Sequence, residues 1–181
     1  MSGLWVFVCG PSGAGKDSVM NWAAAHLAAR HDIVFSRRVI TRTSPIDLNH
    51  EAVTVPEFEQ LRDLDRLAWH WQAHGLHYGI GAHYAKEVAL GRIVVVNGSR
   101  AHANGLPDAP QLRVVQIIAD AVALAARLKN RGREAPHEVT RRLARNTSFT
   151  TLRADHTIFN QGELADAGRQ LADYLVAEFN S

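Results

Sequence analysis

The chain has little cysteine and no long hydrophobic run. Its 181 residues include a single cysteine, Cys9, so an internal disulfide is excluded, which fits a reducing compartment. The first apolar run, Leu4–Cys9, is far shorter than the roughly 20 residues of a membrane-spanning helix. No positively charged residue precedes that run, as one would in a signal peptide. We therefore expect a cytoplasmic protein with no membrane span.

The charge of the chain bears on a second class of protein, those that bind nucleic acids. The formal net charge is only +2, and the basic residues are not gathered in one run. Nucleic-acid-binding proteins usually concentrate basic residues in one patch or stripe. We therefore expect scattered contacts with small anions and no nucleic-acid partner. The length and the 46% hydrophobic content suit a single domain over residues 1–181 with a full core.

The most informative motif follows the first apolar run directly. Residues 10–18 read Gly-Pro-Ser-Gly-Ala-Gly-Lys-Asp-Ser, and a stretch with helical spacing comes next. Between a strand and a helix, G-x-x-x-x-G-K is a phosphate-binding loop (P-loop), whose backbone amides and lysine hold phosphates. The alternative is a simple glycine-rich turn. The sequence predicts a nucleoside triphosphate site made of Gly10, Pro11, Ser12, Gly13, Ala14, Gly15, Lys16, Asp17 and Ser18.

Two residues depart from the usual P-loop pattern. The lysine is normally followed by Ser or Thr, whose hydroxyl binds Mg²⁺, but this chain has Asp17, with Ser18 one position later. A carboxylate beside phosphates is repelled unless a cation lies between them, so one hypothesis makes Asp17 and Ser18 the Mg²⁺ ligands. The alternative is that Asp17 complements the positive N-terminus of the helix. The second departure is Asn97, which ends an apolar strand where many P-loop enzymes carry an aspartate.

Apolar strands alternate with helical segments along the chain. Strands are predicted at Leu4–Cys9, Ile33–Phe35, 93–96, 112–119 and 156–160. Helices are predicted after the P-loop, after a capping box at Thr54, and at 82–90 and 163–179. This alternation predicts an α/β fold with a parallel sheet covered by helices on both faces.

Residues 36–80 are predicted to form an inserted substrate-binding subdomain. Arg37, Arg38 and Arg42 follow the second strand, where the ends of parallel strands meet the ligand edge, and their guanidinium groups match phosphate oxygens. For each arginine the alternative is a solvated basic turn. Aromatic and polar residues alternate around Gly75 and predict a β-hairpin. From position alone, three hairpin residues are candidates for the acceptor pocket: Gln72, His74 and Tyr78.

A second group of arginines lies within residues 129–147. Asp120 is predicted to cap one helix and Pro136 to start another, so the arginines lie around a short interhelical turn. Such a pair resembles a lid that closes over transferring phosphates and stabilises their charge. The alternative is a helical pair with a solvated basic face. The candidate catalytic residues are therefore Lys16, Arg131, Arg133 and Arg142.

The combination of motifs resembles the guanylate kinase branch of P-loop kinases. The resemblance rests on residues 10–16, Thr41-Arg42, Tyr78-Gly79 and the arginine lid, and it covers nearly the whole chain. It implies a guanylate kinase-like P-loop fold. In guanylate kinases a glutamate before Tyr-Gly binds guanine, and Gln72 is the best match here.

Four segments resemble a narrower group, the ribose 1,5-bisphosphate phosphokinases of bacterial phosphonate catabolism. They are residues 10–18, 70–80, 95–101 and 131–134, and the first carries the same unusual Asp17. The resemblance implies that ATP, with Mg²⁺, phosphorylates the 1-phosphate of ribose 1,5-bisphosphate to give 5-phosphoribosyl 1-diphosphate and ADP. The acceptor is already anionic, so no strong general base is needed.

Two other functions are kept as alternatives. One is a guanylate-type nucleoside monophosphate kinase. The other is a non-catalytic guanylate kinase-like binding module, although such modules typically lose the lysine that this chain has at Lys16. The sequence leaves the oligomeric state open, a homodimer included.

Overall fold

The computed structural model describes residues 3–11, 13–42, 50–120 and 152–180. Its strands are β1 (Leu4–Cys9), β2 (Ile33–Phe35), β3 (Arg38–Ile40), β4 (His50–Ala52), β5 (Leu67–Ala73), β6 (Leu76–Gly81), β7 (Ile93–Asn97), β8 (Leu112–Ile118) and β9 (His156–Phe159). Its helices are α1 (Lys16–His26), α2 (Val55–Asp63), α3 (His83–Ala89), α4 (Arg100–Ala103) and α5 (Leu164–Phe179). In these ranges, none of the helices combines the length and apolar character that crossing a bilayer requires.

The central sheet has five strands in the order β2-β7-β1-β8-β9, and each neighbouring pair is parallel. β1 lies in the middle, so both of its faces are buried. Because side chains alternate along a strand, Val6 and Val8 face α1 and α5, whereas Trp5 and Phe7 face the opposite side. The predicted parallel α/β sheet is confirmed, and it brings the carboxyl ends of all five strands to one edge.

Different elements pack on the two faces of the central sheet. Besides α3 and α4, a four-stranded sheet of order β4-β3-β6-β5 packs on the face opposite α1 and α5. β5 and β6 form the predicted hairpin, whose two turn residues, His74 (φ 53°) and Gly75 (φ 74°), both have positive φ, as in a type I′ turn. This small sheet spans residues 38–81, close to the insertion predicted at 36–80.

The helix signals of the sequence correspond to local structure. The predicted capping box is confirmed: Thr54 accepts from the backbone N–H of Glu57, whose carboxylate accepts from the backbone N–H of Thr54. α5 packs on α1 and buries Leu171 and Leu175 in the core. The helix predicted after Asp120 and the lid predicted at 129–147 lie outside the described residues.

Candidate active site

The P-loop joins the end of β1 to the start of α1. Gly13 (φ 89°) and Gly15 (φ 82°) adopt the left-handed conformation that glycine reaches without a steric penalty. Gly15 is the N-cap of α1 and has no side chain that could accept from the amides of the first helical turn. Backbone amides and the positive end of a helix at one place form an anion-binding site. The loop therefore has the geometry that the motif predicts.

Lys16 lies at the centre of this site. Its ammonium Nζ donates a hydrogen bond to Asn97 Oδ1 over 2.7 Å and lies 3.6 Å from Asp17 Oδ1. Burial lowers the pKa of Lys16, and the neighbouring Asp17 carboxylate opposes that change. A negative ligand in the loop would favour the charged ammonium further. Lys16 is thus held by neutral and negative oxygen atoms beside the loop.

Asp17 points out of the loop, and its side chain is 52% exposed. The amide Nδ2 of Asn97 donates to Asp17 Oδ1 over 2.5 Å, and Arg38 Nη2 lies 4.0 Å from the same oxygen. Asn97 itself is buried at the end of β7. The two residues that depart from the usual P-loop pattern are therefore in direct contact.

Two of the three predicted acceptor arginines lie near the loop. Arg37 lines a cavity of about 170 Å³ together with Asp17, Asn97 and residues at the end of β2. The guanidinium of Arg38 lies over the ring of Tyr78, 5.7 Å from its centroid. Arg42, by contrast, is exposed just after the other end of β3.

The hairpin does not bring its three candidate residues to one pocket. Trp71 is paired with Tyr78 and Gln72 with His77, so these two pairs lie on opposite faces. Tyr78 stacks on Trp71, on the face where Arg38 lies. Gln72 is exposed on the other face, with Nε2 at 3.1 Å from His77 Nε2. His74 is exposed at the hairpin turn. Tyr78 lies beside Arg38, one of the predicted acceptor arginines.

One site residue was not predicted from the sequence. Asn160, 3% exposed, follows β9, and its amide Nδ2 donates to the carbonyl oxygen of Ala14 in the P-loop over 2.7 Å. The signal was available, because a polar residue that directly follows a buried parallel strand lies at the ligand edge of the sheet. Asn160 thus ties the strand edge to the loop.

Two ionisable groups near the site, one buried and one half-buried, have shifted pKa values. Cys9 is fully buried, its Sγ donates to the carbonyl of Ser99 over 3.6 Å, and burial raises the pKa of its thiol to about 12. The ring of His102 stacks on Trp71 with centroids 4.7 Å apart. Burial, with a smaller contribution from the charge of His70, lowers the pKa of His102 to about 4. Both groups are neutral near pH 7.

The donor set suits a magnesium ion better than a protein-enclosed metal. Across residues 3–11, 13–42, 50–120 and 152–180, no group of three or more His, Cys, Asp and Glu side chains is placed to hold a metal. Mg²⁺ usually takes one or two carboxylates and completes its shell with substrate phosphates and water. The half-exposed Asp17 carboxylate at the loop, with exposed Ser18 next to it, fits that requirement. Ser12, Arg131, Arg133 and Arg142 lie outside the described residues.

Comparison with known proteins identifies close relatives. No family model matches the chain. The ribose 1,5-bisphosphate phosphokinase PhnN of Agrobacterium fabrum is 42% identical over 173 residues, covering 94% of each chain. Proteins with the same name from Burkholderia pseudomallei and Thiobacillus denitrificans are 43% identical (94% of each chain) and 39% identical (96% of this chain and 93% of the relative).

Solved structures agree on the fold. A guanylate kinase from Anaplasma phagocytophilum superposes with a TM-score of 0.73 at 17% identity, covering 99% of this chain and 88% of that one. At this identity the likeness shows the fold alone. The relatives at about 40% identity cover nearly the whole chain. The chain therefore belongs to the ribose 1,5-bisphosphate phosphokinase family.

Proposed function

We propose that the chain transfers the γ-phosphoryl group of ATP to the 1-phosphate of ribose 1,5-bisphosphate, giving 5-phospho-α-D-ribose 1-diphosphate and ADP. The observation that carries this proposal is the identity of about 40%, over nearly the full length, to proteins named for that activity. The P-loop geometry supports it, because an ordered nest of amides with Lys16 is what a triphosphate donor requires.

The reaction joins two anions, and the residues at the site suit that task. An oxygen of the acceptor 1-phosphate bonds to the γ-phosphorus, while the bond from that phosphorus to the bridging oxygen of ADP breaks. The acceptor oxygen is already ionised, so no proton must be removed by a strong base. What the protein must supply is alignment and positive charge. Lys16 and the loop amides would bind the donor phosphates, and Arg37, Arg38 and Arg42 the acceptor phosphates.

Magnesium is part of the proposal. Asp17 would hold the ion, with the Ser18 hydroxyl as a second candidate ligand. When bound, the ion neutralises charge on the donor phosphates and so lowers their repulsion of the acceptor. The substitution Asp17→Asn tests this role, since an unchanged magnesium requirement would remove Asp17 from the metal site.

The remaining site residues stay predictions. Tyr78 is the hairpin residue we favour for the acceptor, because it lies under Arg38, whose guanidinium lies 4.0 Å from Asp17 in the loop. The acceptor would have to reach Gln72 and His74 from other directions than Tyr78. Arg131, Arg133 and Arg142 are proposed to close over the transferring phosphoryl group.

The test compares two acceptors under the same conditions. ADP release is measured with ribose 1,5-bisphosphate and with GMP, and the product is identified by ³¹P NMR through its diphosphate resonances. We expect turnover with the sugar bisphosphate and little with GMP. Comparable efficiency with GMP would favour a nucleoside monophosphate kinase instead, and absence of ATP binding in calorimetry would favour a non-catalytic binding module.

A further inference from the structure

The two residues that break the usual P-loop pattern touch each other across the site. Asp17 stands in the loop where a hydroxyl residue is usual, and Asn97 stands at the strand end where an aspartate is common. They are 80 positions apart in the chain, yet Asn97 Nδ2 donates to Asp17 Oδ1 over 2.5 Å. Each departure therefore has to be explained together with the other.

Asn97 has the hydrogen-bonding groups that its two neighbours need. Its oxygen accepts from the Lys16 ammonium over 2.7 Å, and its NH₂ group donates to the Asp17 carboxylate. A carboxylate at position 97 could accept from Lys16 but has no hydrogen to offer Asp17. It would instead bring a second negative charge, buried at position 97, against the Asp17 carboxylate. With Asp17 in the loop, an amide at the end of β7 satisfies both neighbours.

From this arrangement we infer that Asp17 and Asn97 form one reciprocal exchange. The carboxylate that many P-loop enzymes carry at the strand end lies here in the loop, at Asp17. Asn97 is a positioning residue that holds this carboxylate and the Lys16 ammonium in place. The inference deepens the proposed function, on which it rests, because the positioned groups are those assigned to magnesium and the donor phosphates.

An isosteric exchange tests the inference. Asp17→Asn and Asn97→Asp have nearly the same shapes as the native residues. Asn97→Asp opposes two carboxylates, and Asp17→Asn removes the negative charge. The double variant restores one carboxylate, one amide donor, the net charge and an oxygen that can accept from Lys16. We therefore expect each single variant to lose function that the double variant partly recovers.

Three measurements are made on the full chain. Calorimetry gives the affinity for a non-hydrolysable ATP analogue with and without Mg²⁺, electron paramagnetic resonance gives Mn²⁺ affinity, and thermal unfolding gives the stability of the ligand-free protein. Because removing a residue that orients a metal ligand typically costs 10- to 100-fold in metal affinity, we expect at least about a 10-fold loss for each single variant. The double variant should return to within about threefold. Asn104→Asp, an exposed change after α4 that adds the same charge, is the matched control and should not alter any value.

The outcomes separate the inference from the proposed function. A double variant no better than the weaker single variant would overturn the inference, as would Asn97→Asp with native metal and nucleotide affinity. If Asn97→Asp does not fold, the double variant must fold, since it removes the opposed charges; its failure to do so also overturns the inference. Recovery of metal and nucleotide binding by the double variant, together with no phosphorylation of ribose 1,5-bisphosphate by the parent protein, would support the exchange and refute the proposed function.

Discussion

Removal of the Asn160 side chain should damage both stability and nucleotide binding. The amide of Asn160 is buried and donates to the Ala14 carbonyl over 2.7 Å, which links the strand edge directly to the P-loop. Loss of one partner of a buried hydrogen bond costs about 1–3 kcal/mol. In a domain of this size each kcal/mol lowers Tm by roughly 2–4 °C, so Asn160→Ala should unfold roughly 2–12 °C lower.

The same change should weaken ATP binding, because Ala14 lies between the two left-handed glycines that shape the loop. If about half of that free energy is lost from ATP binding because the loop amides are misplaced, ATP affinity falls roughly 2- to 12-fold. Asn160→Asp sharpens the test, since it keeps the shape but replaces the donor with an acceptor that repels the carbonyl oxygen. It should be at least as harmful as Asn160→Ala.

Differential scanning calorimetry and titration with ATP measure the two effects. Asn180→Ala, which removes an exposed asparagine after α5, is the control and should leave both values unchanged. If Asn160→Ala unfolds within about 1 °C of the parent and binds ATP equally well, the buried hydrogen bond does not support the loop and our reasoning is wrong.

Three further predictions concern an arginine, a cysteine and a histidine. Arg42→Ala should lower kcat/KM for the acceptor roughly 10- to 100-fold, as expected for loss of one charge-assisted contact, without changing ATP affinity. Cys9, fully buried and with its thiol pKa raised to about 12, should not react with thiol reagents at pH 8 until the protein is unfolded. His102 is neutral in the folded state because its pKa is lowered from 6.5 to about 4. As the pH falls through this range, the unfolded chain binds a proton that the folded protein does not, so the free energy of unfolding falls. His102→Phe keeps an aromatic ring on Trp71 but cannot bind this proton. Between pH 6.5 and pH 4 its free energy of unfolding should therefore fall less than the parent's, by on the order of 1–2 kcal/mol after allowance for solvent at the half-buried ring.

Each of these predictions has a result that would contradict it. Weaker ATP binding by Arg42→Ala would place that arginine at the donor. Labelling of Cys9 in the native protein at the rate of a free thiol would show that its burial is transient. Equal pH dependence of unfolding for the parent and His102→Phe would show that His102 is not held neutral.

Much of the fold could be predicted because its signals are local. β1 reads as a continuous apolar run since both its faces are buried, and the two glycines at positive φ follow it where the motif requires them. The hairpin was signalled by Gly75 and the alternation on either side. These features depend on a few neighbouring residues, so they can be read from the chain alone.

The parts of the site that the sequence did not show depend on three-dimensional contacts. Gln72 and Tyr78 are close in sequence, yet their partners across the hairpin place them on opposite faces, and a shift of one position reverses the face. The contact of Asn97 with Asp17, and that of Asn160 with Ala14, join positions far apart in the chain. Each of these residues could be singled out at a strand end or in a motif, but its partner could not.

The rate of phosphoryl transfer by a Lys16→Ala variant is the decisive measurement. Formation of 5-phosphoribosyl 1-diphosphate from ATP and ribose 1,5-bisphosphate is followed in a single turnover, with Lys86→Ala, which removes an exposed lysine of α3, as the control. Loss of a preorganised cation at the transferring group should slow the variant by roughly 100- to 1,000-fold, and the control should match the parent. A Lys16→Ala variant that makes the product at the parent's rate would contradict our assignment of the active site.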